Sequence, residues 1–175
     1  MWKLLQWIKS TLTPKTSAKR GKQKENGEMR LSKHFTQAEF EKSQTAIRKG
    51  INNRMTAENI KNAKALCEHV LEPAREHFGL PIAINSGYRG DRLNRAIGGV
   101  NTSQHKKGEA ADIELVGGSN WDLFRFIRDN LPYDQLIAEY MVNDDPRAGW
   151  VHVSYRAIGN REMAFSIGGA DVGFA

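Results

Sequence analysis

The sequence predicts a domain that mixes helices with a small set of short strands, behind a basic N-terminal arm. Apolar side chains recur at three- and four-residue steps over residues 56–78, as on a core-facing helix. Short runs near 81–86, 109–115, 135–140 and 150–155 read as strands instead, and Gly or Pro punctuates the segments between. At 175 residues and 39% hydrophobic content the chain suits one domain with an appendage.

Charge divides the chain as the pattern does. Residues 1–33 hold nine Lys/Arg and two Asp/Glu, a charge of +7, whereas the remainder holds seventeen and eighteen, a charge of −1. Charge therefore gives no support to nucleic-acid binding by the globular part. A single cysteine, Cys67, excludes an internal disulfide, and its place on the helical stripe makes it a buried small hydrophobe.

The arm opens Met1-Trp2-Lys3-Leu4-Leu5-Gln6-Trp7-Ile8-Lys9, about two turns of helix and too short to span a membrane. Gln6 interrupts the apolar run and no small-residue cleavage site follows, so no cleavable signal peptide is expected. Trp and Lys suit a headgroup boundary, which makes the arm a candidate for weak contact with a membrane or an anionic cell wall. A frayed terminus or a helix docking elsewhere accounts for it equally well. Residues 10–30 lack an apolar period and read as a linker, so the arm covers 1–30 and the domain 31–175.

Within the domain, Thr36 with Glu39 forms a capping box and Phe35 staples against Phe40, opening a short helix. Thr56 opens the long one, interrupted only by Pro73 and ended by Gly79; His69 and His77 lie off its apolar stripe and are expected to be solvated or locally bonded. A strand at 81–86 runs into Gly87-Tyr88-Arg89-Gly90, and a short helix with Leu93 and Ile97 stops at Gly98-Gly99. The loop of Ser103 and His105 comes next, with Lys106 and Lys107 read as solvated, followed by a strand from 109 to 115. Ser119 or Asn120 caps a helix that Leu131-Pro132 ends. Strands at 135–140 and 150–155 flank a turn with Asp144-Asp145-Pro146, and a last strand covers 162–167.

Alternation divides each strand into two faces. Ala111, Ile113 and Leu115 share one face, as do Leu136, Ala138 and Tyr140, and Val151, Val153 and Tyr155. If these pack on the helices, the opposite faces display Asp112, Glu139 and His152 together. Pairing residue 140 with 149 sets Glu139 opposite Trp150 and beside His152, although a slip of one residue would invert the argument. His105, Asp112 and His152 are natural zinc ligands, and three with one open position is the count of a catalytic site. Glu139 could take a proton from water activated at such a site and pass it to a leaving amine. Arg89 offers a two-pronged donor for a substrate carboxylate and Ser103 a hydroxyl. On residue types alone, a loop-capping His105 and an Asp112 in an ordinary salt bridge stay open.

Ser86-Gly87-Tyr88-Arg89, Ser103-x-His105-x-x-Gly108-x-Ala110-x-Asp112 and Trp150-Val151-His152-Val153-Ser154 resemble, in order and spacing, the zinc D-alanyl-D-alanine carboxypeptidase family. That family shares its fold with D-Ala-D-Ala dipeptidases, phage peptidoglycan endopeptidases and the hedgehog signalling domain. The resemblance covers roughly residues 31 to 167. It implies an α+β, hedgehog/DD-peptidase-like fold, with helices on one face of a small antiparallel sheet and a zinc cleft on the other. It further implies one zinc ion held by His105, Asp112 and His152, with Arg89 and Ser103 on the substrate and Tyr88 and Trp150 beside them. Many members carry the catalytic carboxylate three residues before the last zinc histidine, and others a histidine two before it. Here those positions are Gly149 and Trp150. Glu139 is therefore the expected base, with Asp144 or Asp145 in reserve.

The implied activity is hydrolysis of peptidoglycan stem or cross-link peptides at or next to D-alanine by zinc-activated water. Either a carboxypeptidase or an endolysin-type endopeptidase would do this, as a monomer made in the cytoplasm and acting at the cell wall or periplasm. The lack of a signal peptide leans toward a phage-encoded lysin. The competing class is a non-catalytic zinc-containing wall-binding or structural module of the same fold.

Overall fold

A computed structural model describes residues 29–142 and 144–169. The readings made for the arm before residue 29 and for the Gly-rich end beyond 169 lie outside the described residues. The capping box at Thr36 and Glu39 is present and opens α1 (Gln37–Glu41), with Phe35 and Phe40 both fully buried. A helix not foreseen follows, α2 (Gln44–Lys49), capped by Ser43 and closed by Gly50 in the left-handed conformation.

The long helical stripe is less uniform than its periodicity suggests. α3 (Ala57–Leu66) passes into a π turn over Cys67–Leu71 before α4 (Glu72–Phe78). The Glu72 amide bonds the Cys67 carbonyl, five residues back, so the regular ladder is already broken when Pro73 arrives without an N–H to donate. Cys67 is fully buried at this turn, and burial pushes its thiol pKa far up. His69 and His77 are exposed and stack on Tyr155 and Phe126 at 4.8 and 3.8 Å between ring centres.

The remaining elements are β1 (Ile82–Ser86), α5 (Asp91–Ala96), β2 (Ala110–Leu115), α6 (Asn120–Asn130), β3 (Gln135–Glu139), β4 (Trp150–Ser154) and β5 (Met163–Ile167). Ser119 caps α6. The sheet order is β1-β2-β4-β3-β5, antiparallel throughout except that β5 runs parallel to β3. The segment between β4 and β5 is tied down by the fully buried Asp134, which accepts bonds from the Arg161 side chain and backbone.

Ala111, Ile113, Leu115, Leu136, Ala138, Val151 and Val153 turn one sheet face into the core, where Leu66, Val70, Leu123, Phe124 and Ile127 meet them. Burying each such Leu, Ile or Phe contributes about 1.5–3 kcal/mol. Tyr140 departs from the expected alternation: with φ 54° it leaves the strand and is 53% exposed instead of joining Leu136 and Ala138. Among the described residues no helix is long and apolar enough to cross a membrane.

Candidate metal centre

The face of the sheet opposite the helical core carries the polar side chains that alternation assigned to it. Asp112 of β2 pairs with His152 of β4, whose other neighbour is Ile137 of β3. Glu139 pairs with Trp150, in the register expected. His105 arrives from outside the sheet on a 3-10 turn, Gln104–Lys107, that Gly108 closes in the left-handed conformation. A Cβ at Gly108 would stand 3.1–3.2 Å from the Asn59 backbone and closer still to its carbonyl oxygen, so this turn lies directly on α3. Side chains of α3 hold it there, Asn59 and Asn62 donating to the carbonyls of Lys106 and Lys107 at 3.4 and 2.9 Å.

One ligand atom from each of His105, Asp112 and His152 lies within 4.8 Å of the others, and all three residues are buried or nearly so. His105 Nε2 is 3.3 Å from both His152 Nδ1 and Asp112 Oδ1, and His152 Nδ1 is 2.9 Å from Asp112 Oδ1. Zinc bonds of about 2.0–2.1 Å in a tetrahedron require donor separations of about 3.3 Å. The three donors therefore already stand near the corners that such an ion needs.

Protonation agrees with this. His105 Nδ1 donates to the Gly87 carbonyl at 2.6 Å, which leaves Nε2 of the neutral ring with a bare lone pair facing the cluster. Burial lowers the His105 pKa and favours that neutral form. Burial by itself would raise Asp112, but the His105 and His152 imidazoles facing it outweigh burial and hold the carboxyl well below the usual range. The Asp112 oxygens divide their work: Oδ1 faces the imidazoles and Oδ2 accepts from Arg89 Nη2. Arg89 Nε donates to Ser86 Oγ at 2.8 Å, so its remaining N–H groups are left for other partners.

A family model described as Peptidase M15 matches residues 33–154, which takes in all three donor segments. The chain belongs to the peptidase M15 family. M15 peptidases are zinc-dependent metallopeptidases, and the His105, Asp112 and His152 donor set fits that metal by chemistry and spacing. No curated protein matches the chain.

The other predicted residues of this M15 chain stand at different distances from the cluster. Glu139 is raised by burial and by the Asp112 charge, and feels His152 and Arg89 in the opposite sense, so its carboxyl shares their field. Trp150 shares the face of Glu139 and His152. Ser103 precedes the 3-10 turn, half-buried, without a capping bond. Tyr88 packs partly buried against the core, its pKa raised by burial and by Asp91 and Glu41. Asp145 is engaged in its own turn, accepting from Arg147 N at 3.0 Å. Lys106, expected to be solvated, instead ties Asp91 at 2.8 Å and the Asn101 carbonyl at 2.9 Å.

Position 149, where many relatives were expected to carry a carboxylate, has φ 66°. A Cβ there would fall 2.6 Å from Met141 N and Tyr140 C and nearer still to Glu139 O. The ends of β3 and β4 lie too close together for any side chain at this position.

Sequence reasoning missed two supports of the site. Asn53, nearly buried, bonds both sides of Arg89, donating to Tyr88 O at 2.9 Å and accepting from Gly90 N at 2.8 Å. Gln104 donates to Asp134 at 2.9 Å, linking the His105 turn to the Arg161 clamp. Asn and Gln in polar loops carry no local signal of such distant partners.

Proposed function

We propose that this M15 chain hydrolyses peptidoglycan stem or cross-link peptides at or next to D-alanine, as a zinc-dependent peptidase. The observation that carries the reading is the convergence of His105, Asp112 and His152 on one sheet face with Glu139 and Arg89 in their field. Zinc at these donors would polarise the scissile carbonyl and lower the pKa of a bound water to about 7. Glu139 is the base: it removes a proton from the attacking water and delivers it to the leaving amine as the C–N bond breaks. Its raised pKa suits a group that must both accept and release that proton.

Arg89, held by Ser86 and Asp112, keeps further N–H groups that suit a substrate carboxylate, which favours trimming of a terminal D-Ala. Ser103, Trp150 and Tyr88 supply further substrate contacts. The chain acts at the cell wall as a monomer, with the arm of residues 1–30 giving weak attraction to anionic wall or membrane surfaces. Endopeptidase cleavage of cross-links, as by a phage lysin, uses the same residues on a longer substrate.

The closed position 149 favours one other reading, a zinc-containing wall-binding module without catalysis. Mass spectrometry of muropeptide digests distinguishes the two. Release of D-Ala or opened cross-links, lost with chelator, supports the peptidase; one zinc per chain with no cleavage of any muropeptide refutes it. Glu139→Ala should abolish turnover and keep the zinc, whereas undiminished turnover would move the base role to Asp144 or Asp145.

A further inference from the structure

Tyr140 is the residue whose placement neither alternation nor burial explains. It follows Glu139 directly, adopts φ 54°, and is 53% exposed. A positive φ in a bulky residue with no glycine or asparagine character is an outlier worth a functional question. The left-handed backbone carries the ring off the core side and sets it 5.3 Å from Trp150, between ring centres, at 41°. Trp150 lies opposite Glu139 and two residues from His152, so both rings stand on the metal-centre side of the sheet.

The surroundings are shaped to this arrangement. A Cβ at Gly149 would strike the Tyr140 backbone, and a Cβ at Gly168 would lie 2.5 Å from the Tyr140 ring. Two glycines from separate segments thus leave space for one exposed tyrosine. An exposed ring contributes little to the core, so stability does not account for it.

We propose that Tyr140 and Trp150 form the subsite for a long side chain ending in an ammonium group, on the substrate residue that precedes the D-Ala whose carbonyl is attacked. This rests on the peptidase reading above and names a specificity it leaves open. Aromatic faces attract cations, and methylene chains lie well along them. Elsewhere in the fold such faces carry the protein's own cations, Arg75 over Phe35 at 6.0 Å and Arg125 over Trp121 at 5.7 Å. Among the described residues no side-chain cation sits over Tyr140 or Trp150, and the Glu139 carboxylate adjoins them. A diamino-acid side chain brings both the methylenes and the charge, whereas an alanine methyl brings neither.

The test uses the full zinc-loaded chain and three peptides ending in D-Ala-D-Ala, preceded by lysine, Nε-acetyllysine or alanine. Dissociation constants are measured in parallel on Glu139→Gln protein, where binding is read without turnover. The lysine peptide should exceed the other two by about tenfold in kcat/KM, expressed in KM and in the dissociation constant. Tyr140→Phe should keep that preference and Tyr140→Leu should reduce it to within about twofold. Lysine and acetyllysine favoured equally over alanine would overturn the ammonium assignment, and so would an unchanged preference in folded Tyr140→Leu protein. Cleavage of all three without preference sinks the subsite alone; no binding or cleavage of any sinks the carboxypeptidase reading and the subsite with it.

Discussion

Replacing Gly149 with alanine isolates the close approach on which the shape of the site depends. Two costs add at this position. The left-handed φ of 66° is worth about 1–2 kcal/mol against a residue with a Cβ. The Cβ itself would fall 2.6 Å from Met141 N and Tyr140 C, well inside van der Waals contact with main-chain atoms that no rotamer change can move. Overpacking of that kind costs about 1–3 kcal/mol and sometimes more, so the total is about 2–5 kcal/mol. Gly159 supplies the matched control: its φ is 74° and a Cβ there meets nothing within 4 Å, so Gly159→Ala should lose only about 1–2 kcal/mol. Urea denaturation of both variants at one pH, with unchanged m, reads the difference as a larger fall in midpoint for Gly149→Ala. Equal losses in the two would refute the contact, and with it the steric reason why no carboxylate stands at 149. Gly149→Asp, which installs that carboxylate, should be at least as damaging and should not raise activity.

Three other outcomes are expected. Asp134→Ala removes the acceptor for Arg161 and Gln104 from a fully buried position and should cost about 2–4 kcal/mol in thermal or chemical unfolding; zinc titration should also show weaker binding, because the His105 turn loses an anchor. The metal-free chain should lose stability as pH falls below about 4. Asp134 is held low by Arg161, and Glu72, which burial would raise, is held low by Ser32 and His34. Both carboxyls thus bind protons more weakly folded than unfolded, so their contribution is full above the unfolded value and disappears as pH falls through the folded ones; Asp134→Asn should flatten that slope in melts between pH 3 and 7. Zinc at a hundred times its dissociation constant should stabilise the fold by about 2.7 kcal/mol, an increment that chelator removes and that His152→Ala abolishes in thermal-shift measurements.

Much of this site was legible because its logic is local. The capping box at Thr36 rests on residues three apart, and the shared face of Asp112, Glu139 and His152 rests on strand alternation. The short turn allowed a hairpin, and the register that pairs residue 140 with 149 is the one that sets Glu139 opposite Trp150. What escaped the sequence depends on contacts between segments far apart. Tyr140 has no glycine-like signal of its own, and its inversion is permitted by Gly149 and Gly168 from other parts of the chain. The π turn arises inside a stripe whose apolar spacing is regular, so periodicity could not reveal it. The parallel pairing of β5 and the grip of Asp134 on Arg161 likewise have no neighbouring residue to announce them.

The central place of β4 bears on how the site responds to an ion. β4 is bonded along both edges, to β2 and to β3, and β2 is bonded in turn to β1. Asp112 and His152 therefore belong to ladders that hold whether or not metal is bound, and the His105 ring is fixed by Gly87. Capture of an ion does not have to order a loose chain, so affinity is not drained by conformational entropy as it is where metal and folding arrive together. Amide protons of 111–113 and 151–153 should then exchange at the slowest, global rate with or without zinc, a receptor made ready before its ligand.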